Sequence, residues 1–194
     1  MKKIFYSLLL SICLFGCSSC GPAQVDISGS DTEKSDPYPF ATWEECSHEV
    51  GDHPCNFTLT NQNGKEVSLY DYYGEVIVID FSAMWCGPCQ AAATSIDETV
   101  STFPDINYIT ILIENNSGEI PTQENLEWWA NTFEISQPVL GGSRNLLQPA
   151  DENGWPLYSW PTFFYINEEM TIEHTHPGYS ETTINQNINM LLSD

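Results

Sequence analysis

Basic side chains are nearly missing from this chain of 194 residues. Lys and Arg together number five against 27 Asp and Glu, a formal charge of −22 at pH 7. No basic footprint exists to neutralise phosphates, so nucleic acid is not an expected partner. So acidic a chain is read as having a solvated surface that favours solubility and repels anionic surfaces. Long apolar runs are also scarce. The most apolar stretch, Ile4 to Phe15, is shorter than the roughly 20 residues a membrane-spanning helix needs, and no internal repeat is visible. What is present excludes a wholly disordered chain: 41 % of residues are hydrophobic and 12 % aromatic. The length suits one domain with a real core plus a peripheral segment.

The N-terminus reads as an address. Met1-Lys2-Lys3 precedes the apolar run, which closes in "LFGC", Leu14 to Cys17. This resembles the lipobox of bacterial lipoproteins, which implies a signal peptide over 1–16, cleavage before Cys17 and lipid on that cysteine. An ordinary secretory signal cut near the same place is the alternative. Ser18 is not the aspartate that typically retains such proteins in an inner membrane. In a Gram-negative host the resemblance therefore implies the outer membrane, facing the periplasm. Residues 17–36, small and polar, are expected to be a flexible tether, and 37–55 an irregular arm.

Such an address puts Cys17, Cys20, Cys46, Cys55, Cys86 and Cys89 in a disulfide-permissive place. "CSHEVGDHPC" offers Cys46, His48, His53 and Cys55 close together, a chemically plausible zinc set. Outside the cytoplasm a Cys46–Cys55 disulfide pinning the arm is the preferred expectation. Cys20 stays unassigned.

From Asn56 the pattern becomes regular. "NFTLTNQNGKEVSL" is two alternating runs around Asn-Gly, a β-hairpin signal. Glu75 to Ala83 is a near-continuous β-branched run, as a strand buried on both faces requires. Ala92, Ile96, Val100 and Phe103 recur at helical spacing from Pro88 to Pro104. Ile106 to Ile113 predicts a second buried strand, and Leu126, Trp129, Ala130 and Phe133 a second helix. Val139-Leu140 suggests a short strand and Arg144 to Gln148 a helical turn. Thr162 to Asn167 and Thr171 to His176 predict an antiparallel pair, and Ser180 caps a last helix bearing Ile184, Ile188, Leu191 and Leu192. Alternating strand and helix predicts a parallel central pairing with the hairpin at one side.

"MWCGPCQ", residues 84–90, sits where the buried strand hands over to a helix. Unpaired N–H groups of the first helical turn then face Cys86 and favour its thiolate, the nucleophilic form. Pro88 fits the first turn because no N–H is needed there. Cys86 is expected to attack a partner disulfide, and the more sheltered Cys89 to resolve the mixed disulfide. Asp80, an acid inside the apolar strand, would have its pKa raised by burial and could accept the Cys89 proton; a strand-end carboxylate held by water is the alternative. Trp160-Pro161-Thr162 leads into the late strand, where the proline is either cis, beside the disulfide, or an ordinary trans residue at a strand start.

"VIVIDFSAMWCGPCQ" resembles the active-site strand and helix of thioredoxin-like proteins, and "WPTFFYIN" resembles their cis-proline strand. "GDHPCNFTLTNQNGKEVSLYDYYGE" is similar to the opening hairpin of the redoxin branch, which includes peroxiredoxins and the TlpA-like membrane-tethered thiol–disulfide oxidoreductases. The resemblance covers about residues 51–192. It implies an α/β fold over 56–194: a thioredoxin-like central mixed β-sheet flanked by helices, an N-terminal β-hairpin and an insertion before the cis-proline strand. By it Cys86 and Cys89 are the redox pair, Asp80 is the buried acid and Pro161 the cis-proline. Trp85, Gly87, Pro88 and Trp160 are then expected to form the substrate surface, Trp160 being unusually large for its place. No metal, flavin or nucleotide is needed, because the cysteine pair carries both electrons. Expected partners are envelope proteins with a disulfide or dithiol, an upstream electron donor or acceptor, and the membrane through lipid on Cys17.

Two rivals share the fold. Peroxiredoxins usually carry Pro-x-x-x-Thr-x-x-Cys, but Asp80, Phe81 and Ser82 precede Cys86 with no Pro or Thr in those places. Copper-delivery relatives use C-x-x-x-C with a distant histidine. Here the spacing is one residue shorter, and His174 and His176, two apart on a candidate edge strand, are read as exposed rather than as metal ligands.

Overall fold

The computed structural model describes residues 39–43, 45–148 and 154–193. The expected signal peptide, Cys17, Cys20 and the tether to residue 36 lie outside the described residues.

The first regular elements are short. Strands β1 (Thr58–Thr60) and β2 (Glu66–Ser68) pair antiparallel as a separate two-stranded sheet. Asn61 shapes the turn between them, its Oδ1 accepting from the N–H groups of Asn63 and Lys65. Gly64 takes φ +71, a conformation that favours glycine.

The main sheet is built around β3 (Val76–Ala83), every residue of which is buried. β4 (Ile106–Glu114) and β5 (Val139–Gly141) extend it in parallel on one side; β6 (Thr162–Ile166) and β7 (Ile172–Pro177) extend it antiparallel on the other. The order is β5-β4-β3-β6-β7. The hairpin tip docks on the β5 edge, where Gln62 N–H donates to Val139 O and Gln62 Oε1 accepts from Val139 N.

Helices α1 (Gly87–Ala93) and α2 (Ile96–Thr102) replace the single helix expected from Pro88 to Phe103. The break falls at Thr94-Ser95, whose hydroxyls donate to Ala91 O and Ala92 O. Such local side-chain bonds compete with the helical ladder. Helix α3 (Gln123–Thr132) starts at a Thr122 cap that exchanges hydrogen bonds with Asn125, and α4 (Glu181–Leu191) at Ser180, whose Oγ accepts from Thr183 N–H.

The period of two along the strands sorts side chains into two cores. Val76, Val78, Tyr108, Leu112, Phe163 and Tyr165 face one way, and buried residues of all four α-helices pack with them. Ile77, Ile79, Phe81, Ile109, Ile111 and Phe164 face the other way and are covered by the arm, the hairpin, the short 3-10 helix Leu69–Tyr72 and the segment around Trp155, with no α-helix on that side. Each such fully buried large side chain contributes about 1.5–3 kcal/mol. The arm is fastened by a Cys46–Cys55 disulfide, by Trp43 stacked on His53, and by backbone bonds joining Gly51 and Asp52 to Ile172. His48 is buried against Trp155. Sulfurs bonded to each other are not thiolate ligands, so the zinc set of Cys46, His48, His53 and Cys55 is not formed. Among the described residues no cluster of three or more His, Cys, Asp or Glu is arranged to hold a metal ion.

Candidate active site

The turn from β3 into α1 presents Cys86 as the residue capping the helix. Its backbone is extended (φ −85, ψ 113), and its sulfur accepts the Cys89 N–H at 3.1 Å. Gln90 steadies the turn through its side-chain amide, which donates to Met84 O. Cys86 and Cys89 are joined as a disulfide. Both cysteines are buried, Cys86 retaining 4 % exposure and Cys89 none, so Cys86 is the one nearer to solvent. Gly87 and Pro88, which separate the pair, are exposed.

Asp80 lies on β3, on the same side of the sheet as the disulfide. Its Oδ1 accepts from Ser82 Oγ at 2.7 Å, while Oδ2 is buried with no hydrogen-bond partner. Desolvation pushes the carboxyl up to about 7, with the Ser82 hydrogen bond pulling the other way. Among the described residues no lysine or arginine offsets the burial: Lys65 is exposed on the hairpin and Arg144 pairs with Glu114. A carboxyl that changes protonation near neutral pH inside an apolar layer suits proton exchange with a thiol.

The Trp160–Pro161 peptide bond is cis. Pro161 is buried, its carbonyl accepts from Gly178 N–H at 2.7 Å, and Thr162 Oγ1 donates to Ser159 O. The ring of Trp160 meets that of Trp85 edge-to-face, centroids 6.1 Å apart. Trp85, which precedes Cys86, and Trp160, which precedes Pro161, are thereby brought together, and Trp160 packs against the same core cluster as Cys86 and Cys89.

Two residues that sequence reasoning did not place in the site belong to it. Glu114, ending β4 and nearly buried, accepts the Trp85 indole N–H on Oε2 at 2.8 Å and holds Arg144 on Oε1. Its main-chain carbonyl also receives Met84 N–H. The available signal was an acid closing a buried apolar strand and one of only five basic residues in the chain. His176, by contrast, is half-buried, stacked on Phe163 and within 3.2 Å of the Tyr165 hydroxyl; burial lowers its pKa, with a hydrogen bond at Gly178 opposing.

The mixed sheet and the strand-to-helix cysteine pair define a thioredoxin-like protein, and its relatives are thiol–disulfide oxidoreductases. The chain belongs to the AhpC/TSA family, which matches residues 50–175. Thiol-disulfide oxidoreductase ResA of Bacillus subtilis (strain 168) is 27 % identical over 153 residues, covering 78 % of this chain and 80 % of that protein. The pneumococcal exposed lipoprotein thioredoxin Etrx1 from Streptococcus pneumoniae strain TIGR4 superposes with a TM-score of 0.57 at 28 % identity, covering 71 % of this chain and 100 % of that one. A thiol:disulfide interchange protein of the thioredoxin family from Chlorobium tepidum TLS superposes with a TM-score of 0.58 at 18 % identity, covering 74 % and 98 %, and shares the fold.

Proposed function

We propose that this chain is an extracytoplasmic protein thiol–disulfide oxidoreductase that works as a reductase through Cys86 and Cys89. The observation that carries this reading is the Cys86–Cys89 disulfide at the start of α1, with Cys86 slightly exposed and Cys89 fully buried. In the reduced protein Cys86 thiolate attacks a partner disulfide. Cys89 then gives its proton to Asp80 and displaces the partner's second sulfur from Cys86. Two electrons pass to the partner, and no metal, flavin or nucleotide takes part. Pro161, Trp85, Gly87, Pro88 and Trp160 form the surface that receives the partner chain. The reductive direction rests on Gly-Pro between the cysteines, as in thioredoxins poised near −270 mV rather than oxidants near −120 mV.

Location follows from the "LFGC" run and the Cys46–Cys55 disulfide, and the exposed lipoprotein among the structural neighbours supports it. Lipid on Cys17 tethers residues 17–36, followed by the arm over 37–55 and the catalytic domain over 56–194. In a Gram-negative host the domain faces the periplasm from the outer membrane. Its partners are cysteine-bearing envelope proteins and an upstream donor of electrons. Insulin-disulfide reduction tests the reading: Cys86→Ser abolishes turnover and Cys89→Ser accumulates mixed disulfides. Full turnover by the Cys86 variant would refute it.

A further inference from the structure

Two polar atoms on the helix-covered face of the sheet are left over by every hydrogen bond described above. Asp80 Oδ2 and Thr110 Oγ1 are both buried without a partner. They are also neighbours. Asp80 and Thr110 are directly paired in the parallel β3–β4 register, so their side chains leave the sheet on the same side, one strand spacing apart (about 4.8 Å). Both residues are 1 % exposed. Buried polar groups in folded proteins nearly always find a partner, and buried waters typically serve those that the protein itself leaves unsatisfied.

We propose that Thr110 is a positioning residue for Asp80. The Thr110 hydroxyl and Asp80 Oδ2 form one hydrogen-bonded site, spanned by a single buried water, and the site holds the carboxyl in the orientation from which it exchanges a proton with Cys89. Ser82 grips Oδ1 and Thr110 grips Oδ2, so the carboxyl is fixed at both oxygens. This rests on the oxidoreductase reading of the cysteine pair. In the step it serves, the Cys89 thiol gives its proton to Asp80. The resulting thiolate forms the Cys86–Cys89 bond as the bond from Cys86 to the partner sulfur breaks. The partner sulfur leaves with the electron pair and is protonated by solvent.

Other titratable groups face Asp80 from the elements packed around it: Tyr108 on β4, Tyr165 on β6 and the cysteine pair at the start of α1. Tyr179 lies in the same layer and bonds Ser95. Burial raises the Tyr108 and Tyr165 hydroxyls above their usual range, so they stay neutral while Asp80 titrates. The cysteines and His176, which lies two strands away on the same face and stacks on Phe163, are the remaining groups that change charge there.

Removing a donor from the ionised carboxylate raises its pKa, and the proton-accepting form then appears at higher pH. Single-turnover reduction of insulin by the pre-reduced protein, followed from pH 5 to 9, reads this. Thr110→Val moves the Asp80-dependent limb up by about one pH unit, roughly a tenfold slower reaction at pH 6 and little change at pH 9. Thr110→Ser restores the wild-type limb. In an Asp80→Asn background the valine substitution moves nothing. A wild-type profile from Thr110→Val, or an equal shift with and without Asp80, overturns the proposal. Thr110→Ala removes the hydroxyl with less demand on packing and serves if the valine variant does not fold. A ¹³C NMR titration of the Asp80 carboxyl in the same variants reads the hydrogen bond without any turnover. An inactive wild type with a shifted carboxyl titration would therefore sink the oxidoreductase reading and leave the Thr110 site standing.

Discussion

The indole of Trp85, the residue before Cys86, is held by the carboxylate of Glu114 at 2.8 Å. The same carboxylate carries Arg144, so one nearly buried acid ties the exposed side chain next to the Cys86–Cys89 disulfide to the end of β4. Trp85 is 46 % exposed despite this tether, and Trp160 stands edge-on beside it. An exposed aromatic held rigidly offers contact area without first having to be ordered.

Glu114→Leu should therefore impair protein substrates more than small ones. It removes the acceptor of the indole N–H, an interaction worth about 1 kcal/mol, or roughly fivefold in kcat/KM. Glu114→Gln keeps an acceptor for Trp85 and should lose less than about twofold. Insulin reduction compared with reduction of a small aromatic disulfide checks this. Equal effects on both substrates would show that Glu114 does not act through the docking surface.

Asp80 sets a dependence of stability on pH whose sign is opposite to that of a salt-bridged carboxylate. Its folded pKa is raised from 3.8 to about 7. Between those values the folded protein holds a proton that the unfolded chain has lost, so stability falls as pH rises through the interval. The full effect is on the order of 4 kcal/mol at and above pH 8 and is absent below about pH 4. Asp80→Asn stays neutral throughout and should be the more stable protein at alkaline pH, by a margin growing about 2–3 kcal/mol from pH 5 to pH 8.5. Urea unfolding of the two oxidised proteins measures it. A constant margin would mean that Asp80 is ionised in the fold throughout.

What could be read from the sequence followed from short-range regularity. The β-branched run of β3, the helical spacing of α3 and α4 and the Asn-Gly turn each announce one element, and their order implies the parallel core. Ser82 beneath Asp80 was within reach of the same logic, since residues two apart on a strand share a face. Other features left no periodic trace. The break at Thr94-Ser95 depends on hydroxyls turning back onto their own helix. The covering of the second sheet face by Trp43, Tyr70 and Trp155 comes from irregular chain and a single 3-10 turn, with no repeat to detect. The meeting of Glu114 with Arg144 and Trp85 joins residues about 30 positions apart, through tertiary geometry alone.

The Cys46–Cys55 disulfide closes a loop with a sequence separation of 9. Chain-entropy reasoning gives roughly 2–3 kcal/mol for such a loop. The loop lies next to the arm contacts Trp43–His53 and His48–Trp155, on the face away from the helices. The double variant Cys46→Ala, Cys55→Ala should melt about 5–10 °C lower while still reducing insulin at low temperature. Thermal unfolding of oxidised proteins provides the comparison. An unchanged melting temperature would mean that the arm is held by its aromatic contacts alone.

Two glycines separate backbone fit from freedom to change. A Cβ on Gly154 would lie 2.6 Å from Leu147 C and 2.8 Å from Gln148 N, both main-chain atoms. Little slack exists, because Trp155 N–H donates to Leu146 O and Gln148 N–H to Trp155 O across the same contact. Gly154→Ala must push these segments apart and lift Trp155 from Phe81 and Phe164, its neighbours at 5.1 and 4.8 Å. Overpacking of this kind typically costs about 1–3 kcal/mol, and lost aromatic contact adds to it, so a destabilisation of at least about 2 kcal/mol is expected. A Cβ on Gly87 would meet nothing within 4 Å, and its φ is not positive. Gly87→Ala should therefore change stability by less than about 0.5 kcal/mol. Denaturant unfolding of the two variants side by side decides the matter. A Gly154 variant as stable as the Gly87 variant would show that the Leu147–Trp155 contact yields without loss, and that Trp155 does not depend on it to close the face away from the α-helices.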